Sequence, residues 1–386
     1  MPDLTTLVAA FVIAALVSLV VCILIVVTQR WHGALSLDGN LAGKQKFHKV
    51  PVPRIGGVGL VLGIAGALAW ERLGPLAAPL DNISASVIAL IASSLPVFAI
   101  GLVEDLTKQV SVPMRLGVTL ASALLAWWAL DAVLPRVDLP LVDDLFAFLP
   151  LAVLVTAVGV AGITNAINII DGFNGLAATT VIAMLAAMAY LGWRLDDALV
   201  VELALLGIGT TLGFLLVNYP AGGIFMGDGG AYFLGFWCAE IAVLLVARNP
   251  AISAWQVLAI FAYPVIEVLY SMFRKRVLRR MSATMPDRLH LHMLVFRRCI
   301  CIWLPRNDAC PWLRNAAVTW MIAPWTTAWT IVVVALGTNG PVAALLLGLH
   351  ALAYIVVYVR LLRGRWHFHP TAIFRPLARA ARARPV

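Results

Sequence analysis

About eleven apolar runs of about 20 residues each, almost free of charge, leave this chain few ways to fold. They begin near Leu7, Ile55, Ser84, Met114, Phe148, Phe173, Leu199, Gly229, Ser253, Ala317 and Pro341. At about 1.5 Å of rise per residue, a run of that length carries an α-helix across a hydrocarbon core about 30 Å thick. No water is available there to satisfy backbone N–H and C=O groups, so the backbone must satisfy itself, as a helix does. The chain is 62% hydrophobic and 12% charged, where a soluble domain is about half apolar and a quarter charged. The expectation is an all-α, polytopic integral membrane protein of about ten or eleven transmembrane helices over residues 1–362, followed by a basic cytoplasmic tail, 363–386. The first run is not expected to be a cleaved signal peptide. It is preceded by Asp3 rather than basic residues, extends to Val27, and ends in Thr28-Gln29-Arg30, which is no small-residue cleavage site.

Basic residues orient the bundle. With the N-terminus outside, 24 of the 28 Lys and Arg residues fall on the cytoplasmic side and only Arg72, Arg136, Arg194 and Arg248 outside. That bias matches the positive-inside rule and accounts for most of the net charge of +9. The charge is spread over loops rather than gathered on one face, so no nucleic-acid partner is expected. The tail from Arg363, with Phe368 and Phe374 among its arginines, reads either as a strip touching anionic lipid or as a mobile positive-inside tail. Cys22 and Cys238 lie in apolar runs; Cys299, Cys301 and Cys310 fall in an inner loop, and with His290 and His292 they match no zinc-finger spacing.

Against this apolar background two polar clusters stand out: Asn165-Ala-Ile-Asn168-Ile-Ile-Asp171-Gly-Phe-Asn174-Gly-Leu176, and Asn218-Tyr-Pro-Ala-Gly-Gly-Ile-Phe225-Met-Gly-Asp228-Gly-Gly230. Polar groups at a membrane boundary are costly, which favours chemistry over packing as the reason for them. Counting spans from an outside N-terminus puts both clusters, Glu104-Asp105 and the segment before His290 on the same cytoplasmic face. One acid there could be a helix cap. Four acids with flanking amides would repel one another unless a cation intervened, and oxygen donors of this kind suit Mg²⁺ shared with substrate phosphates. Glycines beside the polar residues permit close backbone approach to a ligand, although glycine also serves plain packing in membrane helices. No GxxxxGK[ST] sequence is present, so a nucleotide would not be held by a P-loop. Lys46, His48, Lys49 and Arg54 precede one span, and Asp287-Arg288-Leu-His290-Leu-His292 lies in the long inner loop. Cations so placed can neutralise a diphosphate, and the parts together fit phosphoryl transfer.

These motifs resemble, in order, those of the polyprenyl-phosphate N-acetylhexosamine-1-phosphate transferases, the family of the phospho-N-acetylmuramoyl-pentapeptide translocase and the undecaprenyl-phosphate GlcNAc-1-phosphate transferases. The likeness is closer to the second branch. The family's Pro-x-x-Gly-Gly resembles Pro53–Gly57, its paired acids Glu104-Asp105, and its Asn-x-x-Asp-Gly-x-Asp-Gly-Leu motif Asn168–Leu176. Its Phe-Met-Gly-Asp is matched by Phe225–Asp228 and its histidine motif by His290-Leu-His292. Three positions depart: Glu104 replaces the first aspartate of the pair, Asn174 an aspartate, and Met293 a histidine.

The resemblance implies transfer of an N-acetylhexosamine 1-phosphate from a UDP-sugar to undecaprenyl phosphate, with release of UMP, as the first step of a cell-surface glycan. It implies Mg²⁺ (or Mn²⁺) at Asp228 with Asp171, and Glu104 or Asp105 acting on the lipid phosphate. Asn168 and Asp171 would contribute to the nucleotide and metal site, Phe225 would stack on uracil, Asn174 and Asn218 would bind substrate, and His48, Lys49, Arg54, Arg288, His290 and His292 would meet the phosphates and sugar. The setting implied is a bacterial cytoplasmic membrane, multi-pass, with a periplasmic N-terminus and a homodimer as one arrangement. Two competing readings are a transporter using the intramembrane Glu240 and Glu267, and a family relative impaired by its three departures.

Overall fold

A computed structural model describes residues 4–37, 51–73, 82–278, 280, 287, 289–305, 307 and 309–364. His48, Lys49, Arg288 and the tail from residue 365 lie outside the described residues. The described chain is helical, with one isolated antiparallel bridge between Leu37 and Pro53. In order the helices are α1 (Leu4–Val27), α2 (Gln29–Ser36), α3 (Gly57–Leu73), α4 (Asn82–Thr107), α5 (Val112–Leu130), α6 (Leu149–Ile170), α7 (Leu176–Arg194) and α8 (Ala198–Asn218). They continue with α9 (Gly227–Arg248), α10 (Ala254–Ile260), α11 (Ala262–Phe273), α12 (Leu291–Val295), α13 (Cys301–Trp303), α14 (Leu313–Leu336) and α15 (Gly340–Leu362).

Among the described residues nine helices are long and apolar enough to cross a bilayer, and the pair α10–α11, bent by 81° at its break, is a broken span or a re-entrant loop. The seventeen residues of α3 fill the remaining expected place. The break between α10 and α11 falls at Phe261, three residues before Pro264, whose missing N–H cannot bond back to the preceding turn.

Lipid and protein faces sort by size. On α1, Leu4, Val8, Val12, Leu16 and Val20 point outward, while Ala10, Ala14, Ser18 and Cys22 face inward. Those small residues meet Gly59 and Gly63 of α3 and Gly209 and Gly213 of α8. A methyl group on Gly209 would lie 2.5 Å from the Phe11 carbonyl oxygen. Close backbone approach of this kind drives helix association where lipid removes the hydrophobic incentive. At the centre runs α9, buried along nearly all its length and packed by α3, α4, α6, α7 and α8.

The connections gather at two ends. At one, Asp138 accepts from Arg136 Nε (2.9 Å), Ser253 Oγ (2.6 Å) and the Ala254 N–H (2.7 Å), and Asp197 accepts from Arg248 Nε and Asn249 Nδ2, each at 2.9 Å. At the other end lie the polar clusters.

Candidate active site

The N-terminus of α9 organises the site. Its first N–H groups have no helical partner, and a carboxylate from α4 supplies one. Asp105 Oδ1 accepts from the Asp228 N–H at 3.0 Å and Oδ2 from the Gly229 N–H at 2.9 Å. That reach requires backbones in contact: a Cβ on Gly101 would meet the Gly229 Cα at 2.6 Å, and one on Gly230 the Gly57 Cα at 2.8 Å. Gly227, at φ +74°, turns the chain into the helix where a side chain would run into the Arg54 carbonyl and the Asp105 carboxylate. The segment Pro53–Gly57 then lies along Phe225–Met226: the Phe225 N–H donates to Pro53 O (2.8 Å), the Gly56 N–H to Phe225 O (2.9 Å) and the Gly57 N–H to Met226 O (3.0 Å). Two motifs 170 residues apart are thereby stitched together backbone to backbone.

Asp228 is the hub. Asn168 Nδ2 donates to its Oδ1 at 3.1 Å, Arg115 Nη1 to its Oδ2 at 3.1 Å, and Arg54 Nη2 lies 3.6 Å from Oδ1 and 3.4 Å from Asp105 Oδ1. Lys108 adds a looser charge 4.0 Å from Asp105. Asp171, at the end of α6, completes the acids. Burial pushes its carboxyl up to about 7; Arg54 pulls the other way, while Asp228 and Asp105 push in the same direction as burial.

The paired acids divide their work. Glu104 Oε2 accepts from the Val110 N–H at 2.8 Å and closes the short α4–α5 turn, whereas Asp105 faces α9. Two asparagines expected to bind substrate, Asn174 and Asn218, turn inward. Asn174 Nδ2 donates to Pro220 O (2.9 Å); Asn218 Oδ1 accepts from the Gly175 N–H (2.6 Å) while its Nδ2 donates to Ile224 O (2.7 Å). Both are buried and tie the two motif loops together. From α14, Asn315 Oδ1 accepts from the Asn174 N–H (2.7 Å) and Thr319 Oγ1 donates to the Asn174 carbonyl (2.6 Å).

A family model described as glycosyl transferase family 4 matches residues 87–246. Over 289 residues the chain is 26% identical to the probable undecaprenyl-phosphate N-acetylglucosaminyl 1-phosphate transferase of Bacillus subtilis, covering 74% of this chain and 76% of the relative. It is 29% identical over 275 residues to the decaprenyl-phosphate N-acetylglucosaminephosphotransferase of Mycobacterium tuberculosis, covering 64% and 66%. A phospho-N-acetylmuramoyl-pentapeptide-transferase of Lactococcus lactis is 33% identical over 164 residues, covering 41% and 48%. The chain is similar over this stretch to members of the polyprenyl-phosphate N-acetylhexosamine-1-phosphate transferase family.

The family's histidine segment reaches the same end of the bundle here. His290 Nδ1 lies 2.8 Å from Glu267 Oε1, and the Leu291 N–H donates to the same carboxylate at 3.1–3.2 Å. Glu267 therefore anchors this segment rather than standing alone in the membrane. His292 stacks on His290 with ring centroids 5.4 Å apart, meets Phe173 edge-on, and has Nδ1 3.3 Å from the Tyr263 hydroxyl. Burial holds the His292 imidazole down at about 3, so it stays neutral. Its Nε2 has no partner among the described residues and lies beside Gly172, where a Cβ would be 3.4 Å away. A neutral, oriented imidazole is thus aimed at the Asp171–Gly172 turn.

Four contributors to the site lie outside the motifs. Arg115 counted only as a topology charge, although an arginine one turn inside a membrane helix is itself a signal. Asn315 and Thr319 stand four residues apart, a polar pair on one face of α14. Glu267 gave its burial away but not its partner.

Proposed function

We propose that this protein transfers a sugar 1-phosphate, of the N-acetylhexosamine type, from a UDP-sugar to undecaprenyl phosphate and releases UMP. The reading is carried by one observation: three carboxylates, two guanidiniums and an amide converge on the N-terminus of the central, almost wholly buried helix at one end of a membrane bundle. Such an end combines N–H donors with a positive dipole, and the arginines add charge suited to a diphosphate. The names of the relatives give a polyprenyl-phosphate acceptor and an N-acetylglucosamine phosphate as the transferred group.

Among the described residues no three metal-ligating side chains cluster. Two carboxylates, Asp228 and Asp171, are nevertheless the kind of donor set that Mg²⁺ uses when substrate phosphates and water complete its shell. When bound, the cation would neutralise charge on the diphosphate. Asp105, fixed by two amide N–H groups, would keep α9 and Asp228 in place. Arg54 and Arg115 would bind phosphate oxygens, Asn168 would orient Asp228, Phe225 would offer its ring to the base, and His292 Nε2 would meet the sugar or a phosphate. The charge bias of the loops supports a cytoplasmic site and a periplasmic N-terminus. Lipid phosphate would attack the β-phosphorus of the UDP-sugar, forming the new P–O bond as the bond to UMP breaks.

The test is UMP release by purified protein in detergent with undecaprenyl phosphate, Mg²⁺ and a panel of UDP-N-acetyl sugars. Release that needs the lipid, the metal and one sugar is expected. Release that persists without the lipid would overturn the assigned acceptor.

A further inference from the structure

The two C-terminal helices lie beyond the stretch the family model matches, residues 87–246, yet each grips one of the loops that form the site. The first grip belongs to α14, whose Asn315 and Thr319 hold the Asn174 backbone by its N–H and its carbonyl (2.7 and 2.6 Å). This fixes the turn that follows Asp171.

The second grip belongs to α15. His350, Tyr354 and Tyr358 stand four residues apart, form one stripe, and are all buried. Tyr354 packs its ring edge-on against Tyr270 of α11, the helix whose Glu267 holds His290 and the Leu291 N–H. The Tyr358 ring lies under the Arg274 guanidinium at 5.6 Å. Arg274 in turn pairs with Asp287, which also accepts from Ser271 Oγ (2.6 Å) and the Leu289 N–H (3.0 Å). Tyr270 of α11 packs against both tyrosines, at 5.8 and 4.8 Å between centroids.

The two helices are locked to each other as well. His350 sits between Trp325 and Trp329 of α14, 4.9 and 4.8 Å from their centroids. Trp325 contacts Tyr263, whose hydroxyl reaches His292. Two routes from the stripe thus reach the histidine segment, one through Arg274 to Asp287 and one through Trp325 and Tyr263 to His292.

We propose that α14 and α15 act as a clamp that positions these two loops, with Tyr354, Tyr358, Asn315 and Thr319 as positioning residues. Buried polar groups this far from the reacting atoms are expensive in a bilayer unless they fix geometry. For its kinetic arm alone the proposal rests on the transferase reading.

The test is hydrogen–deuterium exchange on the full chain in detergent, alongside steady-state kinetics. Tyr354→Leu removes the ring that packs on Tyr270, whereas Tyr354→Phe keeps it and matches wild type. Tyr354→Leu is expected to speed exchange over 289–295 about tenfold while leaving α1–α9 unchanged. Asn315→Ala is expected to do the same over 172–176. In Tyr354→Leu and Asn315→Ala, kcat/KM for the UDP-sugar falls about tenfold through KM, the signature of lost ground-state positioning. Tyr358→Phe keeps the ring under Arg274 and matches wild type, whereas Tyr358→Leu loosens 287–292. Exchange that rises evenly over the bundle, or that stays unchanged in both segments, overturns the clamp. If the wild type shows no transfer at all, the exchange arm still decides the clamp, and only the functional reading fails.

Discussion

Asp171 gives the site a pH signature that can be measured without substrate. Burial pushes its carboxyl from 3.8 up to about 7, with Asp228 and Asp105 adding to the push against Arg54. A folded-state pKa above the unfolded one means that the neutral acid stabilises the fold fully below about pH 4 and loses that contribution as pH rises through about 7. At about 1.4 kcal/mol per unit the difference amounts to about 4 kcal/mol. Asp171 keeps some exposure and shares its charge with two other acids, so about 2 kcal/mol is the size expected by pH 8. The substitution Asp171→Asn fixes the neutral form. Melting curves of detergent-purified wild type and variant, with a chelator present, should diverge as pH goes from 5 to 8, the variant becoming relatively more stable. Adding Mg²⁺ at pH 8 should recover much of the wild-type deficit and leave the variant nearly unmoved. A difference between the two proteins that stays constant over this range would refute the reasoning, because the carboxyl would then titrate normally in the fold.

Asp228→Asn should leave the melting temperature near that of wild type and cut UMP release by about 10³-fold, since it removes charge where the diphosphate is read. Glu104→Ala should cost about 1 kcal/mol of stability through loss of the Val110 N–H acceptor. Its turnover should stay within a few-fold of wild type, and a dead enzyme would place Glu104 at the reaction instead. Gly227→Ala meets both a left-handed φ and the Asp105 carboxylate. It should lose about 2 kcal/mol or more together with activity, and an unaffected melting curve would contradict the close packing at the start of α9. Arg115→Met, which keeps the stem and removes the charge beside Asp228, should raise KM for the UDP-sugar while the fold persists. An unchanged KM would show that Arg115 serves only to orient the helix.

Much of this architecture was legible because membrane helices announce themselves by length, and costly polar residues by their rarity. Each of the eleven expected starts has a helix close by, and Asp105, Asp171, Asp228, Asn168 and Arg54 meet as their shared face required. Direction was harder to read. Asn174 and Asn218 carry the same amides whether they bind a ligand or tie two loops, and only the fold shows them facing Pro220, Ile224 and Gly175. Glu104 and Asp105 are adjacent, so a helix must send them about 100° apart, yet nothing local says which one meets α9. Glu240 remains buried in α9 without a partner among the described residues, and no physical account of it emerges from its surroundings. The anchors of the histidine segment are long-range pairings between residues 267 and 290 and between 274 and 287, which periodicity does not encode.

The staples at the end opposite the site have a mechanical consequence. Asp138 and Asp197 there close their loops with saturated networks: Arg136 spans Asp138, Pro250 O and Ile252 O, and Arg248 and Asn249 both converge on Asp197. The site end is tied across the bundle as well, by the pairing of Pro53–Gly57 with Phe225–Met226 and by Asp105 on the start of α9. A bundle fastened at both rims resists splaying of its helices at either end.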